Sequence, residues 1–207
     1  GGNVTSTGDQ DFGGNVTLTA DVELDGATID VTGNVDGAFD LILDSTATDV
    51  SGTIGNTLID LTVETGPLTA GTVDITGNLN ADQNVTTDTG SVLVDGNVDS
   101  EGTITSADAV NVGGTSDLGG NVTSTGDQDF GGNVTLTADV ELDGATIDVT
   151  GNVDGAFDLI LDSTATDVSG TIGTTLIDLT VETGPLTAGT VDITGNLNAD
   201  QNVTTDT

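Results

Sequence analysis

The chain has 207 residues, of which 35 are acidic and none is Lys, Arg or His, giving a formal net charge of −35. That charge excludes nucleic acid and anionic membrane as direct partners, since both are held through Lys and Arg. It points instead to divalent cations or a basic partner. Cys, Met, Trp and Tyr are also absent, so no disulfide can form and the usual catalytic bases and nucleophiles reduce to carboxylates and hydroxyls; we expect no enzyme.

Taken in chain order, the strand signals are NVTLT at 15–19, TIDVTG at 28–33, FDLILD at 39–44, LIDLTVE at 58–64, TVDITG at 72–77 and SVLVDG at 91–96. In each, apolar and polar residues alternate, and Gly, Asp or Asn separates one run from the next. This is the pattern of short, half-buried strands. Thr, Val, Asp and Gly are poor helix formers, and no 3.6-residue period is present.

At Gly119 the sequence begins again. Residues 119–207 copy residues 1–89 at an offset of 118, with one change, Asn56 in the first copy and Thr174 in the second. We read 1–118 as a complete repeat unit and 119–207 as a second, truncated copy, continuous with the first and without a linker. The chain starts without Met and stops inside a unit, which reads as a window on a longer array.

A shorter period lies within the unit. Gly14, Gly33, Gly52, Gly71 and Gly90 form a ladder with a step of 19, each followed by Asn, Thr or Ser and then by Val16, Val35, Ile54, Val73 or Val92. The expectation is a structural turn column of Gly, supplying a backbone conformation that other residues resist. Beside it would run a column of small polar side chains bonding the turn backbone, and an inward core column of β-branched residues.

The predicted fold is therefore all-β, a single-stranded parallel β-helix (β-solenoid) with coils of about 19 residues and about six coils per repeat. Such a fold has only a thin core, which suits an apolar content of 34 %, below the roughly 45–50 % of globular domains. After Gly90 the ladder loses phase. The 42 residues to Gly132 suggest two coils of about 21.

The competing folds are a disordered acidic chain and a stack of immunoglobulin-like sandwiches. Alternating β-branched residues, with Pro only at 67 and 185, argue against the first. Asp25-Gly26, Asp36-Gly37 and Asp95-Gly96 would make good hairpin turns for the second, but sandwiches give no reason for a constant step of 19.

At that step Asp11, Asp30 and Asp49 align, as do Asp25 and Asp44. Like charges one rung apart repel by about 0.9 kcal/mol in bulk water, so salt or divalent ions must offset them. These five are the candidate metal residues, and Ca2+ is the ion that such oxygen clusters would take. Neither the EF-hand pattern nor a GGxGxDxUx repeat is present. The Asn-x-Thr triplets at 3–5, 15–17 and 84–86 are expected by chance in so Asn- and Thr-rich a chain. An ice-binding Thr ladder is not expected, because Thr17 would stack on Asp36.

GDQDFGGNVTLTADVELDGATIDVTGNVDGAFDLIL at 8–43, SGTIGNTLIDLTVETGPLTAGTVDITG at 51–77 and GSVLVDGNVDSEGTI at 90–104 resemble the long β-strand repeat regions of filamentous-haemagglutinin-like bacterial adhesins. The resemblance covers essentially the whole chain. It implies a right-handed parallel β-helix, export to the cell surface, and work as an extracellular stalk, filament or adhesin shaft in attachment, biofilm or matrix. We also expect self-association into filaments, end to end or lateral. The lack of Lys, Arg and His departs from the family and speaks against binding of anionic glycans. The alternative reading is an acidic module whose main task is to bind Ca2+ or another cation. No apolar run approaches the ~20 residues that span a bilayer.

Overall fold

The computed structural model describes residues 1–55 and 57–206. Among these residues are 29 short strands and no helix. All of the strand pairings are parallel, so the chain is an all-β parallel solenoid, and the antiparallel sandwich reading is set aside. Asp25-Gly26, a good hairpin signal taken alone, instead ends the strand Val22–Gly26. The strands are short because the inward positions are short: a three-residue strand such as Ile29–Val31 buries its first and third residues and exposes its second. The alternation read from the sequence is this one.

Each coil contributes to three faces, and each face is a ladder of strands one coil apart. The first face begins Val4–Thr5, Val22–Gly26, Leu41–Ser45, Leu61–Val63. The second begins Gln10–Phe12 and Ile29–Val31, then takes the start of Thr48–Gly55. The third begins Val16–Thr17 and Val35–Asp36, then takes the end of Thr48–Gly55. The two eight-residue strands Thr48–Gly55 and Leu68–Ile75 thus run across a corner, and their mutual register shifts between Ala70 and Thr72.

The column of inward residues is present as the sequence indicates. Val16 pairs with Val35, Val35 with Ile54, Ile54 with Val73 and Val73 with Val92. All but Val16 are buried. The Gly column also stacks, but for a different reason from the one expected. None of Gly14, Gly33, Gly52, Gly71 and Gly90 has a positive φ. Successive coils come too close for a side chain there: a Cβ on Gly52 or on Gly71 would lie 2.7 Å from the carbonyl oxygen of the glycine one coil before. Positive φ belongs to other glycines, Gly37 (φ 136°) and its copy Gly155 (φ 142°) among them.

The loss of phase after Gly90 has a specific origin, and it is not a pair of 21-residue coils. Beyond Val92 the third face continues to Val110 and then to Gln128, two coils of 18 residues. Gly132 and Val134 come one strand later and fall on the first face, where Val134 pairs with Ser116. The 118-residue unit therefore spans six coils and one further face. Every element of the second copy sits one face on from its counterpart. Val16 is on the third face and Val134 on the first; Leu24 is on the first and Leu142 on the second; Gln10 is on the second and Gln128 on the third. Counterpart stretches form corresponding strands on adjacent faces, as Val22–Gly26 and Val140–Gly144 do, so one face accepts the strands of another. The ladders continue without interruption through residues 118 and 119.

Coil size and core content change together along the unit. Around Leu41 and Thr48 the step is 20, to Leu61 and Leu68, and the inward residues are mainly Leu, Ile and Val. Between Val98 and Phe130 every step is 18, every strand has three residues, and Ser100, Ser106, Ser116, Ser124 and Gln128 point inward. Ser thus takes four inward positions in the shorter coils, which also bury Ile104, Leu118, Gln128 and Phe130.

Candidate functional site: acidic corners and columns

The corners are where the small polar residues work. Asn15 Oδ1 accepts a hydrogen bond from the Asn34 backbone N–H (3.0 Å), and Asn34 Oδ1 from that of Thr53 (3.0 Å). The second copy repeats this through Asn133, Asn152 and Thr171. These side chains do not bond their own turn, as expected from the sequence; they bond the next coil. A longer run leads into the first face. Asp21 Oδ1 accepts from Asp40 N–H (3.2 Å), Asp40 from Asp60 (3.3 Å), Asp60 from Asn78 (2.6 Å), Asn78 from Asn97 (2.9 Å) and Asn97 from Thr115 (2.9 Å).

Asp gives way to Asn along this run, three of one and then two of the other, because each offers the one thing the position needs, an oxygen acceptor on a short stem. Each such bond contributes about 0.5–1.5 kcal/mol net, more with a charged acceptor. Part of the acidity is therefore structural. A carboxylate at these corners fastens one coil to the next.

The aligned Asp columns lie on the flat faces. Asp11 pairs in register with Asp30, and Asp30 with Asp49; Asp25 pairs with Asp44. In the second copy Asp129, Asp148 and Asp167 form the first of these columns, and Asp143 and Asp162 the second. The columns are lines along the stack. Among the described residues, no three carboxylates close around one point as a metal site would require.

The central member of a column feels both neighbours. Asp148 is held above the usual carboxylate range, first by partial burial and then by the charges of Asp129 and Asp167. Asp154, at a corner, goes the other way. Partial burial pushes it up, but hydrogen bonds from Thr174, Thr175 and Gly155 outweigh this and lower it. Thr174 Oγ1 donates to Asp154 Oδ2 (2.7 Å), while Thr175 Oγ1 (2.8 Å), Thr175 N–H (3.0 Å) and Gly155 N–H (2.9 Å) donate to Oδ1. Thr174 is the one residue that differs between the copies and has φ 71°. Its counterpart Asn56 lies outside the described residues.

Surface depressions are shallow. One groove of about 270 Å³ is lined by Asn3, Asp21, Val22, Glu23, Asp40 and Ile42. The copy, at Asn121, Asp139, Val140, Glu141, Asp158 and Ile160, measures about 220 Å³. In each, the Asn side chain accepts from the Glu backbone N–H and donates to the Glu carboxylate. The first groove lies on the first face and the second on the second face. Ile59 and Ile177, 44 % and 45 % exposed, are equivalent outward apolar residues. Thr17 does stack on Asp36, so no Thr ladder forms there.

Sequence reasoning missed the buried polar residues. Gln10 and Gln128 point inward, 6 % and 0 % exposed. The Gln128 amide donates to the carbonyls of Val122 (2.9 Å) and Asp143 (2.7 Å), bridging two coils, and Gln10 does the same to Val4 and Asp25. Ser100 and Ser124 donate to the carbonyls of Gly102 and Gly126 at the corner that follows (2.9 Å each). The available signal was spacing. Val98, Ile104, Val110, Ser116, Val122, Gln128 and Val134 recur every six residues, which places Ser116 and Gln128 at inward positions.

Compared with protein-family models, curated proteins and solved structures, the chain matches none. The class defined by the fold is thus the whole of the identification: an acidic, tandemly repeated parallel β-solenoid of about 11 turns. The narrower likeness to filamentous-haemagglutinin-like adhesins rests on the repeat pattern alone. Among the described residues, no helix is long and apolar enough to cross a membrane.

Proposed function

We propose that the chain is part of a secreted structural rod, a stalk, filament or adhesin shaft working at the cell surface, and that it performs no catalysis. The observation that carries this reading is the unbroken stacking across the repeat boundary. The three ladders run from one copy into the next with no linker strand and no change of pairing mode. Each repeat added to such a stack lengthens it without a new core or a new interface, because each coil contacts only its neighbours. Self-association of such stacks, end to end or lateral, belongs to the same reading.

The charge fits the same role. With no cationic side chain present, rods repel one another and stay apart at low salt. Divalent cations would draw them together laterally through the Asp columns. Electron microscopy of the purified chain with Ca2+, and then with EDTA, tests the reading. Straight rods that bundle with Ca2+ and disperse on chelation, with unchanged far-UV circular dichroism, support it. Globular particles in both conditions would overturn it. Unfolding on chelation would favour a cation-binding module instead.

A further inference from the structure

We infer that in a tandem array of these units every surface feature carried once per unit winds around the rod, moving one face per repeat and returning to the same face only at the fourth copy. The inference rests on the rod reading for its array, but its geometric basis lies within this chain. The unit of 118 residues covers six coils plus one face. Three units, 354 residues, therefore close on 19 whole coils. At a strand spacing of about 4.8 Å, successive copies of a feature are about 30 Å apart along the axis, and same-face copies about 91 Å apart.

Three independent pairs of counterparts show the shift in the same sense. The groove at Asp21 and Glu23 is on the first face, and its copy at Asp139 and Glu141 is on the second. The column at Asp30 is on the second face and its copy at Asp148 on the third. Thr17 is on the third face and its copy Thr135 on the first. A length of 114 residues, six coils of 19, would have kept all of them in line. The extra residues turn a one-sided pattern into a three-sided one.

The consequence concerns the kind of partner the array can engage. A flat surface, or one parallel rod, meets a given patch only at every third unit. Several partners surrounding the rod, such as neighbouring copies of this chain in a bundle, meet it on all sides. The array thus has no preferred side.

The chain contains no Cys, so pairs of introduced cysteines can carry spin labels at chosen outward-facing sites. Thr17 and Asp129 lie on the same face six coils apart, whereas Thr135 is the counterpart of Thr17 on the adjacent face. In the full 207-residue chain, T17C/D129C should give a distance of about 29 Å, and T17C/T135C a longer one. A second set, D11C/T123C in line and D11C/D129C across faces, should show the same order. T17C/T135C equal to or shorter than T17C/D129C, in chains whose circular dichroism matches the parent, would overturn the inference. These distances do not depend on assembly. A chain that shows the expected order but never forms rods would sink the rod reading and leave the face shift standing.

Discussion

The stretch from residue 22 to 81 and the stretch from 98 to 130 share one architecture and differ in how they fill it. The first has steps of mostly 19 or 20, strands of up to eight residues, and an interior of Leu, Ile and Val that includes Leu41, Ile54, Leu58, Leu61 and Leu68. The second has steps of 18 and three-residue strands, with Ser and Gln at five inward positions. The first draws its stability from apolar burial, at roughly 25 cal/mol per Å². The second keeps a buried apolar set, including Ile104, Val110, Leu118 and Phe130, but replaces part of it with hydrogen bonds from Ser100, Ser106 and Ser124 to corner carbonyls. The backbone ladders and corner acceptors are common to both. A solenoid can therefore vary its core coil by coil, provided that the rung spacing and the corners are kept.

Among substitutions that test this contrast, Leu61→Ala should have the largest effect. Leu61 is fully buried, and truncation should cost about 2–5 kcal/mol through lost transfer energy and a cavity. Urea unfolding measures it, and a cost below 1 kcal/mol would show that this region is not held by its aliphatic core. Next come the corners. Asn34→Ala and Asn97→Ala leave the backbone N–H groups of Thr53 and Thr115 without their acceptors. Each should cost about 1 kcal/mol, similar in the two regions, while Asn34→Asp should retain most of the stability. Ser116→Ala should be close to neutral, or slightly stabilising, because the Ser116 hydroxyl is buried without a partner. A large loss there would mean that the polar interior is more tightly bonded than the contrast allows.

The smallest effects come from the surface carboxylates, and they have opposite signs. Asp148 has a raised pKa in the folded state. Its column is therefore most favourable to folding at pH below the ordinary Asp value of 3.8, and that advantage is lost as pH rises through the raised value. Asp148→Asn should raise the melting temperature slightly at pH 7 and low salt, and the gain should shrink as salt is added. Asp154 has a lowered pKa. Its contribution is present above 3.8 and is lost as pH falls through the depressed value. Asp154→Asn should lower the melting temperature at pH 7 and matter little below the depressed value. Thermal scans from pH 2 to 7 separate the two.

Much of the fold could be read in the sequence because the solenoid writes itself as periodicity. The step of 19 from Gly14 to Gly90 marks real neighbours on successive coils, and Asp11, Asp30 and Asp49 stack as their spacing says. The phase of the unit was harder to read. Gly90 and Gly132 share the glycine pattern but precede strands on different faces, so the interval of 42 mimics two long coils. The six-residue spacing that resolves it is clean only between Val98 and Val134; earlier, five- and eight-residue strands stretch it. Inward Ser and Gln were hidden because polarity alone reads as exposure. Ser100, Ser106 and Ser124 find carbonyls at the corner that follows, and Gln128 finds them on two coils, partners which no local pattern displays.

Both copies form one continuous stack of parallel coils, and cryo-electron microscopy of the 207-residue chain, enlarged by a rigid fusion partner, is the decisive measurement. The expected image is a single unbroken solenoid of about 11 turns, with rungs at about 4.8 Å and three faces per turn. Two separate β-sandwich beads, one for each copy, would contradict it.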